Sequence, residues 1–216
     1  MNHSLIHLGR RAERFKTSLQ FINVAYNNMY AALDACKAAD YVIFVLSSSV
    51  EVEEWGDGLL RILQAQGLPD VVTVASADSS LDSKARPGIL KSLLSFIQYF
   101  VPTQTKIFDL HTGSDRLNAM RALSEGKPAE VRWREGRAWI LGEKVEWADG
   151  TLSVTGVVRG VRLSANRLVH IPNHGDFQIS KVCYIANLVA FIEPFARFYL
   201  LRCRNFRDRT PPLVWT

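Results

Sequence analysis

The first 126 residues alternate short apolar β-type runs with stretches of helical periodicity, and this alternation narrows the available folds more than any other feature. Tyr41–Leu46 reads YVIFVL, an unbroken apolar run rich in β-branched and aromatic residues, as expected of a strand covered on both faces. Residues 55–66 place Leu59, Leu60, Ile62 and Leu63 at helical spacing, then stop at Gly67 with Pro69 just beyond. Residues 71–75, VVTVA, form a second buried-type run. Residues 87–100 put Ile89, Leu90, Leu93, Leu94, Ile97 and Phe100 on one side of a helix. A third strand is expected over 106–110 and a further helix over 116–123. Upstream, residues 31–40 have helical composition, and 18–30 read as a polar, partly extended lead-in. Strand and helix in strict turn predict an α/β layer on a parallel sheet, with right-handed crossovers setting helices on both faces.

At Gly126-Lys127-Pro128 the pattern changes. The segments that follow are short and of β type: VRWRE, AWILGEKVEW, LSVTGVVRG, RLVHI and DFQISKV. Turn signals separate them, among them Glu135-Gly136, Asp149-Gly150 and Asn173-His174-Gly175-Asp176. Residues 127–182 therefore read as part of a small antiparallel barrel, after an α/β domain over 1–126. Residues 183–216 fit neither pattern: an apolar, aromatic stretch gives way to a basic one ending in Pro211-Pro212. Glu193, Pro194 and Arg197 interrupt the apolar part, so a spanning helix is not expected, and the segment should make few contacts with the body.

Charge adds little by itself. The formal net charge is +5, but five arginines against Glu193 and Asp208 after residue 182 supply +3 of it. The body is nearly balanced, so the basic pI is weak evidence for a nucleic-acid partner. Three cysteines, Cys36, Cys183 and Cys203, are widely spaced with no CxxC, which argues against a disulfide framework and a cysteine-rich zinc module. With no run of 18 uncharged apolar residues and no signal-peptide core ahead of the first arginines, the reading is of a soluble intracellular chain.

The motifs of nucleotide chemistry are missing or degraded. Neither GxxxxGK[ST] nor GxGxxG occurs anywhere in the sequence. After the run VVTVA, a GTPase would carry Asn-Lys-x-Asp to read guanine; here Ala75-Ser76-Ala77-Asp78 keeps only the aspartate. Asp78 is thus a vestigial guanine-site position at most, and otherwise a loop or capping residue. His170 and His174 straddle a strand end and a Pro-Asn turn, a spacing without helical meaning, so no metal site is expected. Asp109-Leu110-His111 has no serine or cysteine context that would make it catalytic. Cys36 reads as a packed small residue.

One stretch has chemistry to offer. In Arg132-Trp133-Arg134-Glu135-Gly136-Arg137, strand alternation sets Arg132 and Arg134 on one face and Trp133 on the other. Guanidinium forks suit phosphate and exposed aromatics suit bases. Arg159, Arg162 and Arg167 could extend the same surface. The reading the pattern favours is a solvated strand face with the tryptophans in the core, its arginines paired to Glu135, Glu143 and Glu146.

Several segments together resemble a known family. Ala39-Asp40, Gln66-Gly67, Trp133-Arg134, Val157-Val158-Arg159-Gly160, Asn166-Arg167-Leu168 and Gly175-Asp176-Phe177-Gln178 are similar to the GTPase-like ribosome-biogenesis proteins. That family comprises the "twenty-S rRNA accumulation" protein and its Bms-type GTPase relative, the former being the nearer match over residues 18–182. The resemblance implies a translational-GTPase-like α/β domain followed by a barrel like domain 2 of elongation factor Tu. It implies a non-catalytic assembly factor without cofactor, acting in the nucleus and nucleolus. Its partners would be the pre-40S particle, pre-rRNA and small nucleolar RNA, with no membrane and no small-molecule substrate. An active Bms-type GTP hydrolase is the alternative. The family's phosphate-loop region and later barrels have no counterpart here, which implies a piece of a longer protein with residues 183–216 as an aberrant tail.

Overall fold

A computed structural model describes residues 6–77, 82–128, 131, 135–171, 174–184 and 198–205. The chain divides into two compact units, Met1–Trp133 and Arg134–Thr216. The division thus falls a few residues after the expected break at Gly126.

The first unit opens with a hairpin that the sequence pattern does not announce. Strand β1 (Ile6–Ala12) pairs antiparallel with β2 (Thr17–Asn23) around a single 3-10 turn. Helix α1 (Met29–Ala38) follows, its N-terminus capped by the Asn28 side chain, which accepts from Ala31 N–H at 3.0 Å. Then comes the expected alternation: β3 (Tyr41–Leu46), α2 (Glu54–Gln66), β4 (Asp70–Ala75), α3 (Arg86–Phe100), β5 (Phe108–Asp109) and α4 (Gly113–Glu125). The three strands form a parallel sheet in the order β3-β4-β5. Gly67 ends α2 at φ 97°, its N–H donating back to Leu63 and Gln64 carbonyls, a conformation glycine adopts at no steric cost.

Helices cover both faces of this sheet, as right-handed crossovers require. On one, Leu46 and Ala75 pack with Leu60 of α2 and Ile97 and Phe100 of α3. On the other, Val72 and Val74 pack against Ala119 of α4. Strand β4 is the deepest element. Thr73, fully buried within it, donates its hydroxyl to Gln104 Oε1 at 3.2 Å, and Gln104 Nε2 donates in turn to Val71 O at 2.7 Å. Strand β3, by contrast, pairs only with β4 among the described residues, and its Val45 is 64% exposed. Its composition is that of a central strand, but among the described residues its position is an edge.

The second unit holds β6 (Ala138–Ala148), β7 (Thr151–Gly160), β8 (Leu168–Ile171), β9 (Gly175–Tyr184) and β10 (Phe198–Asn205). Asp149 and Gly150, both at positive φ, make the tight turn between β6 and β7. The segment VRWRE falls largely outside the described residues. Two features bear on the expected barrel segment and on the tail. The strands form one antiparallel sheet in the order β6-β7-β10-β9-β8; β6 and β8 do not pair among the described residues, and no closed barrel is seen among them. Moreover, residues 183–216 are not wholly foreign to the fold. Tyr184 is the last residue of β9, and β10 lies in the middle of the sheet, pairing antiparallel with β7 and with β9. The apolar stretch after residue 183 reads as one piece in the sequence. Its second half instead has a strand's register, with Leu200 opposite Thr155 and Cys183. One face of the sheet carries a core of Leu152, Phe177 and Ile179, with Ile140, Val154, Val169 and Leu163 packed on it.

Candidate functional site

In an open α/β sheet, ligands bind outside the carboxyl ends of the strands. That edge is formed here by the residues following Leu46, Ala75 and Asp109. The ladder is extended past the strands by Ser76 N–H donating to Leu46 O (2.9 Å) and Leu110 N–H to Ala75 O (3.1 Å). After β3, the Ser47 hydroxyl accepts from the N–H groups of Ser49 and Val50, closing a small turn. Asp78, after β4, lies outside the described residues.

The third strand end is where the chemistry concentrates. Asp109 is almost wholly buried, its side chain 4% exposed, and Arg86 beside it is 12% exposed. Arg86 Nη1 donates to both carboxylate oxygens of Asp109 at 2.9 Å. Asp109 Oδ1 also accepts from His111 N–H at 2.9 Å, so the Asp-Leu-His sequence makes a backbone turn rather than an acid–histidine side-chain pair. Next to it, Asp115 accepts from Asp109 N–H (3.1 Å) and from Lys106 Nζ (2.7 Å). Burial works against the ionised form of Asp115. The hydrogen bonds and the Lys106 charge outweigh it and hold this carboxyl below the ordinary carboxylate range. Thr112 completes the corner: its Oγ1 accepts from Asp115 N–H at 3.3 Å and caps α4. These groups are committed to one another. They tie the start of α3, the end of β5 and the first turn of α4 into one internal lock. Sequence reasoning misses it because the two pairs join positions that only the crossover topology brings together.

The six arginines singled out in the sequence fare differently. Arg132 and Arg134 lie outside the described residues. Arg137 is exposed just before β6, Arg159 is half-buried on β7, and Arg162 is exposed in the loop after it. Pairing brings these three to one end of the β6–β7 hairpin: Ala138 is opposite Gly160, Trp139 opposite Arg159, and Val161 N–H donates to Arg137 O at 3.4 Å. Arg167 lies elsewhere. Its carbonyl accepts from Ile179 N–H, and Ile179 is level through Cys203 with Leu152, toward the hairpin's turn. That separates it from Arg159 by roughly 20 Å along the strands. Glu146, offered as an arginine partner, instead pairs with Lys144 at 2.8 Å.

His170 is exposed, with Nδ1 2.9 Å from Asp176 Oδ1 across the β8–β9 pair. Among the described residues no cluster of three or more His, Cys, Asp or Glu side chains could hold a metal. Nor is any described helix long and apolar enough to cross a membrane.

The sequence comparisons decide the family. Residues 3–125 match the model of the Tsr1 G-like domain, and residues 127–187 match the AARP2CN (NUC121) domain. The chain belongs to the Tsr1 family. Ribosome biogenesis protein tsr1 of Schizosaccharomyces pombe is 40% identical over 171 residues, covering 79% of this chain and 22% of that protein. The human pre-rRNA-processing protein TSR1 homolog is 30% identical over 176 residues, with 78% and 22% covered. The chain thus spans about a fifth of the length of the Tsr1 relatives it matches. In fold it is similar to bacterial selenocysteine-specific elongation factor EF-Sec, with a TM-score of 0.59 at 14% identity over 93% of this chain and 35% of that one. Elongation factor SelB from Methanococcus maripaludis gives a TM-score of 0.58 at 10% identity, covering 94% and 46%. These likenesses establish a translation-GTPase-like fold. The AARP2CN match reaches residue 187, so the first residues of the supposed tail belong to the Tsr1 family pattern too.

Proposed function

We propose that this chain is a segment of a non-catalytic ribosome-assembly factor that acts on small-subunit (40S) pre-rRNA maturation in the nucleolus by binding pre-ribosomal particles. The observation that carries the reading is its membership of the Tsr1 family, whose relatives are named for ribosome biogenesis and pre-rRNA processing. The partner is the pre-40S particle and its RNA. The work is adhesive, done by surfaces of a translation-factor-like fold rather than by turnover.

The non-catalytic part is supported by the residues themselves. The sequence has no GxxxxGK[ST] loop to wrap phosphates, and Ser76-Ala77-Asp78 keeps one residue of the guanine-reading motif. An active Bms-type hydrolase would need both of those motifs for nucleotide.

Two measurements test this. The full-length parent should co-sediment with small-subunit precursor particles, and its depletion should make small-subunit rRNA precursor accumulate. Isothermal titration should find no magnesium-dependent GTP site at micromolar concentration; such a site would revive the hydrolase. A parent absent from pre-ribosomal fractions would overturn the assembly reading.

A further inference from the structure

An aromatic face stands exposed where the loop after β2 meets the first turn of α2. Tyr26 lies on Trp55 with ring centroids 4.5 Å apart, yet 56% of Tyr26 remains exposed. Beside this pair, Glu51, Glu53 and Glu54 are all exposed, and among the described residues their carboxylates have no ion-pair or hydrogen-bond partner. We propose that this face docks an arginine-rich segment of another protein, with one guanidinium seated on the Tyr26 ring and others paired to Glu51, Glu53 and Glu54. The choice of partner follows from these side chains and not from the assembly reading above.

Three observations carry it. First, two elements converge on the spot. A Cβ added at Gly56 would meet Val52 Cγ1 at 2.9 Å and the Tyr26 hydroxyl at 3.2 Å, so Tyr26 reaches across the start of α2 from a separate loop. Second, the chain entering α2 turns its acids outward. Val52 packs inward on the core that holds Leu60, and Glu53 has extended backbone at φ −70° and ψ 162°. Successive side chains of an extended segment alternate, so Glu51 and Glu53 face solvent while Val52 does not. Third, ordinary structural roles do not use these acids up. Acidic residues in a first turn offset the helix dipole, which accounts for Glu54 and Asp57, and Asp57 is further engaged by Arg61 at 2.6 Å. Glu51 lies ahead of the helix, and Glu53, at its cap, makes no side-chain capping hydrogen bond. The negative face of an aromatic ring attracts cations, and guanidinium groups both stack on such a ring and fork to carboxylates. The same three carboxylates repel phosphate, so a polynucleotide is the poorer fit. Because the whole chain carries +5, a polycation has to find a local acidic face to bind at all.

The test uses the full 216-residue chain and a fluorescein-labelled peptide of alternating arginine and glycine, with binding read by anisotropy at about 50 and 200 mM salt. Wild type should bind, more weakly at the higher salt. Tyr26→Ala should weaken binding about two- to fivefold, the range of an exposed cation–π contact, while Tyr26→Phe stays near wild type. Glu51→Gln/Glu53→Gln/Glu54→Gln should weaken it at least about threefold at the lower salt, and by less at the higher. Glu125→Gln/Glu146→Gln, which neutralises exposed carboxylates elsewhere in the chain, should bind like wild type. Circular dichroism checks folding. If Tyr26→Ala fails to fold, Tyr26→Leu, which keeps an apolar contact without a π face, replaces it; Glu51→Lys, outside the helix, replaces the triple in the same way. A wild type that does not bind the peptide overturns the proposal. So does unchanged binding in folded Tyr26→Ala or in the folded glutamate triple, or an equal loss in the Glu125/Glu146 control. Self-association that these variants abolish would assign the face to a second copy of this chain, and binding of an RNA hairpin lost with Tyr26→Ala would assign it to bases; either result overturns the proposal.

Discussion

At the level of single residues, the Arg86–Asp109 pair has the largest stake. Both side chains are buried, and an ion pair in such a place contributes little by existing but costs much when halved, because the remaining charge is stranded. Arg86→Ala or Asp109→Ala should therefore lower the stability of the first unit by about 3–5 kcal/mol in urea melts. An Arg86→Met/Asp109→Leu double variant should lose far less than the two single losses added together. Asp115 makes a prediction of a different kind. Its pKa is depressed in the folded state, so its contribution is present above the unfolded value near 3.8 and disappears as pH falls through the lower folded value. Asp115→Asn should thus melt below wild type at neutral pH, and the gap should narrow once the pH falls below 3.8 and Asp115 itself takes up a proton. Neither pair is legible in the sequence. Arg86 stands before a proline at a helix start, and Asp109 stands in a strand of mixed composition. Nothing in a linear pattern says that a crossover will join them.

Among elements, legibility tracks how completely a segment is surrounded. β4 and α2 emerge at nearly their observed bounds because a buried run or a one-sided apolar stripe leaves a strong pattern. The β1–β2 hairpin does not, because its register is written in polar and basic residues such as Arg10, Arg11, Ser18 and Gln20. β10 is hidden for another reason: Pro194 and Arg197 break an apolar stretch, and what resumes afterwards looks like a tail until its partners are known. Strand β3 reads as fully buried but lies at an edge among the described residues. Charge on an edge strand deters pairing with other chains, so Val45→Lys should leave the melting temperature within about 2 °C of wild type while reducing concentration-dependent light scattering. Inside the second sheet, Gly156 faces the Leu141 carbonyl so closely that a Cβ there would overlap it. Gly156→Ala should cost the second unit about 1–3 kcal/mol, with the loss read from its unfolding midpoint.

Across the whole molecule, two units of different construction share the chain. The first buries its core between helices and a short parallel sheet; the second relies on one broad antiparallel sheet with a core on one face. Truncation after Tyr184 removes β10, the strand that both β7 and β9 pair with. The shortened chain should lose protease resistance across residues 138–184 while the first unit still unfolds cooperatively. Equal protease resistance with and without residues 185–216 would contradict the central place of β10.

That central place also bears on the order of events as the chain leaves the ribosome. Both hairpins of the second unit, β6 with β7 and β8 with β9, are complete once Tyr184 has emerged. They cannot join through backbone hydrogen bonds until β10, synthesised after both, slides between them. For that interval, Leu152 and Ile179 belong to two separate ribbons, each with an apolar side facing water. Contacts that must wait for a distant segment form slowly. The half-built sheet is therefore the moment at which a nascent-chain chaperone has most to hold.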